Sequence, residues 1–312
     1  MASKHHLPST PETVHWGHFD PAIAPVMTVA SGDTVDVDCL VASAPGALPG
    51  KDFDVPPDLQ AVHDTLKQEG NAHILTGPIR IDGAQPGDVL EVRIRDIRLR
   101  MDWGLNVMRP LVGTLPEDFP LKRLIHIPID RKAMVAKLPW GKDLPLSPFF
   151  GVIGVAPPPV YGRIPSGPPR EHGGNLDNKE LVAGSTLYLP VWVEGANLSI
   201  GDGHGVQGDG EVCVSALETS LAGTFELHLR KDMKLDVPRA ETPTHWITMA
   251  FSNDLDDAAK DALRRMIAFI VETAGLSRED AYTLCSLACD MRITQLVNGE
   301  KGVHAVLPKS AL

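Results

Sequence analysis

The chain has 312 residues, 43% of them hydrophobic, and a formal net charge of -11 with histidines neutral. That length suits roughly two domains with an ample core, and the acidic balance argues against nucleic acid or an anionic membrane surface as partner, because both need basic surface. No apolar run approaches the ~18 residues of a membrane span, no apolar N-terminal stretch points to secretion, and four cysteines without a C-x-x-C pair fit reduced thiols in a cytoplasm.

The 28 glycines and 27 prolines punctuate the first two thirds into short segments, the pattern of an all-β domain. Val35, Val37, Cys39 and Val41 alternate after the Ser31-Gly32-Asp33 turn. Between Gly77 and Met101, Ile79 and Ile81 precede a turn at Pro86-Gly87-Asp88, and Leu90, Val92 and Ile94 follow it. The alternation changes phase near Asp96, since Ile97, Leu99 and Met101 continue on odd numbers, which predicts a β-bulge or bend there. Residues 103–184 read as loop-rich, with Pro157-Pro158-Pro159 and Ser166-Gly167-Pro168-Pro169 unable to sit in a central strand. Strands resume at Leu187–Val193 and at Phe225–Leu229, and Val212–Leu217 also alternates.

The character changes after about residue 250. Leu255, Ala259, Ala262, Leu263, Met266, Ile267, Ile270 and Val271 recur at helical spacing, and Gly275 stops the pattern. Ser277 caps a second helix through about Ala288, and a short strand over Met291–Val297 ends at Asn298-Gly299. The chain therefore divides into a β-rich N-terminal domain with long loops, 1–185, and a second unit, 186–312, with further strands and a C-terminal helical layer.

Gly201–Glu211, GDGHGVQGDGE, is the densest run of chemistry, with five glycines, three carboxylates, one imidazole and one amide. A hairpin turn needs only two residues, so this loop reads as a site. Asp202 and His204, at i and i+2, can point the same way toward a transition metal. Asp209 and Glu211 can share a cation or act as a general acid/base. An EF-hand is excluded by the spacing of the acidic positions. Glu171–Asp177, EHGGNLD, is a second constellation in which His172 and Asp177 could add ligands to a site of three N/O donors with an open position. His73, His15 and His18 are further candidate ligands or substrate contacts. No G-x-S-x-G elbow is present, and Gly201-x-Gly203 precedes no helix pattern, so neither a serine hydrolase nor a dinucleotide fold is indicated.

These residues resemble the acetamidase/formamidase family of linear-amide hydrolases. The likeness runs through Trp16-Gly17-His18-Phe19-Asp20, Ser31-Gly32-Asp33-Thr34-Val35, Thr76-Gly77-Pro78, Gly83-Ala84, Pro86-Gly87-Asp88, Pro148-Phe149-Phe150-Gly151, His172-Gly173-Gly174-Asn175 with Asp177, and Gly201-Asp202 with His204 followed by Gln207-Gly208-Asp209-Gly210-Glu211. The chain departs at Gly205, where many relatives carry alanine, and across Trp103–Trp140. The resemblance implies a mainly β fold, with a β-sandwich or jelly-roll-like body and an α/β C-terminal portion, and cytosolic hydrolysis of a short amide to carboxylate and ammonia. It implies a divalent metal, zinc first, held by Asp202, His204, His172 and Asp177, with Glu211, or less favourably Asp209, carrying the proton. His73, Gln207 and Asn175 are expected at the substrate, and the protein is expected to act on a small molecule; β-rich chains must cover their sheet edges, which points to a homo-oligomer. Two alternatives stay open: Cys213 as a covalent nucleophile, and a non-catalytic ligand-binding module whose acidic loop holds a structural calcium.

Overall fold

The computed structural model describes residues 2–312. Its largest sheet has nine strands, in the order Lys4–Leu7, Thr34–Cys39, Leu221–Arg230, Val89–Leu99, Thr186–Pro190, Arg239–Glu241, His245–Ser252, Lys301–Pro308 and Asp290–Gln295. A six-stranded sheet runs Gly173–Asn175, Phe149–Gly154, Leu198–His204, Ile74–Ile81 and Val14–Trp16, with Met27–Val29 parallel to Ile74–Ile81. A four-stranded meander contains Trp103–Met108, Arg123–Asp130, Val135–Leu138 and Lys142–Pro145. Both large sheets draw strands from either side of residue 185, so the segments 1–185 and 186–312 interleave in each.

The two large sheets share one apolar core. Val35, Val37, Val92, Ile94, Phe225 and Leu227 enter it from the nine-stranded sheet, and Ile79, Ile81, Phe150, Ile153, Leu198 and Ile200 from the six-stranded one. Burying a side chain of this kind is worth about 1.5–3 kcal/mol before chain entropy is counted. The Phe150 and Phe225 rings, with centroids 5.3 Å apart, join the two layers directly. The predicted phase change is a bulge. Thr224 pairs with Asp96 but Phe225 pairs with Ile94, which leaves Arg95 as the extra residue and swings Leu99 back onto the core.

Three α-helices occur among the described residues, and the two C-terminal ones form as their sequence dictates. The first, α1, is a short helix over Pro57–Thr65 that the sequence pattern did not announce. The second, α2, spans Leu255–Ala274. The Asp254 side chain accepts from the Asp257 N–H at its start, and Gly275 closes it in the left-handed conformation at φ 68°. The third, α3, spans Arg278–Ala288 and is capped by Ser277, which accepts from the Asp280 N–H. Ala258, Ala262, Met266 and Ile270 of α2 pack against Ala250, Val303, Ala305 and Leu307, so the helices cover the C-terminal end of the large sheet. The mainly β class with a C-terminal α/β portion is what the structure shows. No helix among the described residues is long and apolar enough to cross a membrane.

Two segments differ from the sequence pattern. Residues 103–184 hold the four-stranded meander and the Phe149–Gly154 strand, and are less loop-rich than their prolines suggest. Gly201–His204 continues a strand, whereas Val212–Leu217 forms none: Val212 is exposed and Val214 takes φ 81°. Glycines permit the first, because a Cβ on Gly201 would lie 2.5 Å from Ile74 O and one on Gly203 would lie 2.5 Å from Thr219 O.

Candidate active site

The end of the Leu198–His204 strand places Asp202 and His204 on one side, with His204 Nε2 lying 3.3 Å from Asp202 Oδ2. Phe149, opposite His204 in register, holds the imidazole edge to face at 4.9 Å. Glu218 bridges this strand to the meander, because its N–H and C=O both pair with Leu105, and its Oε2 stands 3.2 Å from His204 Nε2. Asp177 enters from the loop after Gly173–Asn175. Its N–H donates to Gly151 O at 3.1 Å, and its Oδ2 accepts from Asn298 Nδ2 at 2.6 Å. Glu211 arrives from the far end of the glycine loop. Two overlapping triads result, Asp177–His204–Glu211 and Asp202–His204–Glu218, each with one ligand atom per residue within 4.8 Å of the others.

Gly151 makes this convergence possible. A Cβ there would lie 2.6 Å from Asp202 Oδ2, 2.7 Å from Asp177 Oδ1 and 2.8 Å from His204 Cε1. Three of the carboxylate residues hold left-handed backbone, with φ 48° at Asp177, 56° at Asp202 and 45° at Glu211. Such conformations cost of order 1 kcal/mol or more and persist where the surroundings fix them. Here a Gly208 O contact fixes the Glu211 N–H, and Gln207 Nε2 holds the Asp177 carbonyl at 2.8 Å. The glycine loop is in turn pinned to the C-terminal unit, since Gly210 N–H donates to Thr294 O and Gly210 O accepts from Leu296 N–H.

Four buried carboxyl groups around one imidazole cannot all be charged without a counterion. Burial pushes Asp177 up to about 7, against the attraction of His204. Burial likewise pushes Glu218 up to about 7. Glu211 is raised well above the usual carboxylate range by burial and then by the charge on Asp177. Burial would raise Asp202 too, but the imidazoles of His73 and His204 outweigh it and hold that carboxylate low. Burial would lower His204, yet Glu218 and Asp202 outweigh it and raise the imidazole well above its usual range. Without a metal the cluster responds by taking up protons, and a divalent cation would satisfy the same charge. Asp177 Oδ1, His204 Nε2, Glu211 Oε2 and Glu218 Oε2 are buried with no hydrogen-bond partner among the described residues, so the cluster has donor atoms to spare for a cation and for the groups that would react beside it.

The cluster floors a cavity of about 170 Å³ lined by Asp202, Glu211 and Glu218 together with His73, Asn175 and Asn298. His73 Nδ1 is bound to Ser166 Oγ at 2.9 Å, and its Nε2 faces Asp202 Oδ2 at 3.8 Å. Burial keeps it below the usual imidazole range against the pull of Asp202, and the charges of His204 and Arg109 act in the same direction as burial. Asn175 donates through Nδ2 to Gly167 O at 3.0 Å, which leaves Oδ1 unpartnered.

Of the residues read from the sequence, Asp202, His204, Asp177 and Glu211 meet, and His73 and Asn175 line the same cavity. His172 lies outside the cluster, buried edge-on against Phe19 at 4.9 Å. Asp209 is held away at 2.8 Å from Lys179 Nζ, and Gln207 stands behind Asp177 and does not line the cavity. His15 pairs with Ser199 Oγ at 3.0 Å, and His18 lies against the Trp16 carbonyl and Arg163. Sequence reading missed Glu218, Asn298 and Ser166. Glu218 had a signal, as the one charged residue in the run Cys213–Leu221.

A sequence model of the acetamidase/formamidase family matches residues 3–160 and 164–311. The chain belongs to the acetamidase/formamidase family. Among this family's characterised proteins, it is similar to the formamidase of Methylophilus methylotrophus, 32% identical over 249 residues that take in 60% of this chain and 61% of that protein. It is also similar to the acetamidase of Mycolicibacterium smegmatis, 30% identical over 234 residues that cover 56% of each. The chain thus spans about three fifths of the length of these acetamidase/formamidase relatives. Among solved structures, the acetamidase from Bacillus halodurans superposes with a TM-score of 0.84 at 32% identity over 97% of each chain.

Proposed function

We propose that the protein hydrolyses a short linear amide, of the formamide or acetamide type, to a carboxylate and ammonia, with a divalent cation held beside His204. The observation that carries this reading is the pair of triads sharing His204, with unpartnered buried donor atoms at the floor of a cavity. Family membership and the activities named for its relatives support the amide substrate.

The donors for the ion are His204, Asp202, Asp177 and Glu218. One imidazole in the set favours zinc over calcium, although the oxygen-rich remainder suits harder ions as well. When bound, the cation supplies polarisation of a carbonyl and acidification of water. Glu211 faces the cavity through a buried carboxyl oxygen and carries the proton, taking it from the attacking water and delivering it to the departing nitrogen. Amide nitrogen leaves poorly unless protonated, so a carrier of this kind is required. In this reading Asn175 Oδ1 accepts from the substrate amide N–H and His73 Nε2 donates toward its oxygen, which their place in the cavity lining and the unpartnered Oδ1 support. Cys213 is held by Asn106 and Ser215 and does not line the cavity, which supports water over a thiol as nucleophile. Four free thiols and the net charge of -11 support a reducing, cytoplasmic setting and a small-molecule substrate, and exposed Tyr282 and Leu287 on α3 support self-association.

Two substitutions separate the roles. Glu211→Gln is expected to lower ammonia release at least about 100-fold while the bound ion is retained. Glu218→Gln is expected to lower the ion content itself, measured by elemental analysis of the purified protein. A Glu211→Gln enzyme with normal turnover would remove Glu211 from the proposed mechanism.

A further inference from the structure

The meander that forms one wall of the cavity contains a feature the proposed chemistry does not use. Trp103–Met108 and Arg123–Asp130 pair antiparallel, with Met108 opposite Arg123. The next positions in that register are Arg109 and Lys122, so two cations face each other at the base of the 110–121 loop. Both line the cavity, and they are its only basic lysine or arginine side chains. They stand just past the end of that ladder, where like charges brought close repel one another. Here no carboxylate relieves them: neither makes an ion pair among the described residues, although Glu117 and Asp118 lie in the loop between them. This stands out in a chain of net charge -11, where most arginines are paired with acids.

The cavity is also larger than a minimal amide needs. Its 170 Å³ is many times the ~10–15 Å³ that a single water needs on the same measure. Formamide has three heavy atoms and acetamide four. Beyond the acidic floor the wall is apolar, with Leu105, Val107, Leu124 and Val214, which suits a short methylene stem.

We propose that the preferred substrates are short amides carrying an anionic group at the far end, with the amide on the His204 floor and the anion between Arg109 and Lys122. This rests on the amide-hydrolase reading and names its substrate class. The apolar wall holds the stem, and the two cations, free of internal partners, take the place of water around the anion. Arg109 and Lys122 are specificity-determining residues in this account. They are exposed at the mouth, so an anionic substrate is also drawn toward a cavity whose floor alone would repel it.

The test compares ammonia release from succinamate, the half-amide of a four-carbon diacid, with release from butyramide, its neutral counterpart of similar length. The expected kcat/KM ratio favours succinamate by about tenfold or more at low salt and falls toward one in Arg109→Gln/Lys122→Gln, an exposed pair whose change spares the core. A ratio near one in the unaltered protein, or a ratio that survives the double substitution, would overturn the proposal. If neither amide releases ammonia, and formamide and acetamide release none either, the hydrolase reading fails separately. Calorimetric titration with succinamate and butyramide then decides the anion site: binding of the first alone, lost in the double variant, upholds it, and equal binding or none refutes it.

Discussion

At Gly151 the absence of a side chain sets the geometry of the site. Asp177, Asp202 and His204 converge over its Cα, and each would lie under 3.0 Å from an added methyl. Gly151→Ala is therefore expected to push these donors apart, lowering ion content and turnover by more than about tenfold, since a displacement near 1 Å at reacting groups has effects of that order or more. The fold should persist, because the obstructing atoms are side-chain ends. Elemental analysis beside a thermal melt checks this, and an alanine variant with normal ion content would refute it. The same residue shows what sequence can and cannot reveal. Asp202 and His204 were legible as an i,i+2 pair, and Asp177 and Glu211 as carboxylates set among glycines. Glu218 and Asn298 were not, because what brings them in is pairing across distant strands: Glu218 to Leu105 and His204, and Asn298 through the turn that Gln295 holds. His172 carried the same local signal as His204, but the chain turns it against Phe19.

Among the elements, legibility followed local physics. Both long helices begin at the caps that their sequences specify, α2 also ends at its glycine cap, and the bulge at Arg95 lies where the alternation changes phase. The meander over 103–145 was less legible, because its strands are short and half exposed, so only a weak periodicity marks them. The α2 cap offers a clean measurement. Asp254→Ala removes the oxygen that accepts from the Asp257 N–H at 3.0 Å. It should destabilise the protein by about 1 kcal/mol, read as a lower urea midpoint, and leave turnover unchanged because α2 packs on the sheet face remote from the cavity. A loss of turnover in the folded variant would show that α2 reaches the site.

For the whole molecule, buried histidines set the pH window of stability. Burial holds His15 down to about 4 and His304 down to about 4. Unfolded histidine titrates near 6.5, so between these values the unfolded chain binds protons that the folded one refuses. The share of stability from these two histidines is then complete above about pH 7 and falls as pH drops from about 6.5 toward 4, by about 2 kcal/mol per histidine at pH 5, while Asp177 and Glu218, raised by burial in the cation-free protein, act with the opposite sign over the same range. Urea midpoints at pH 7.5 and pH 5 isolate this share by comparison: the change from pH 7.5 to pH 5 should be more favourable in His304→Gln than in the unaltered protein. Equal sensitivity in that variant would exclude His304 as a contributor. The interleaving of both halves in both large sheets makes the C-terminal unit part of the site as well as part of the scaffold, since it pins the glycine loop through Gly210 and supplies Asn298.

The account depends most on a divalent cation beside His204 serving amide hydrolysis. Ammonia release from formamide and acetamide, measured on chelator-stripped protein before and after zinc is restored, tests both parts together. The account predicts that release is lost with the ion and returns with it. Full release from protein shown by elemental analysis to be free of divalent ions would contradict it.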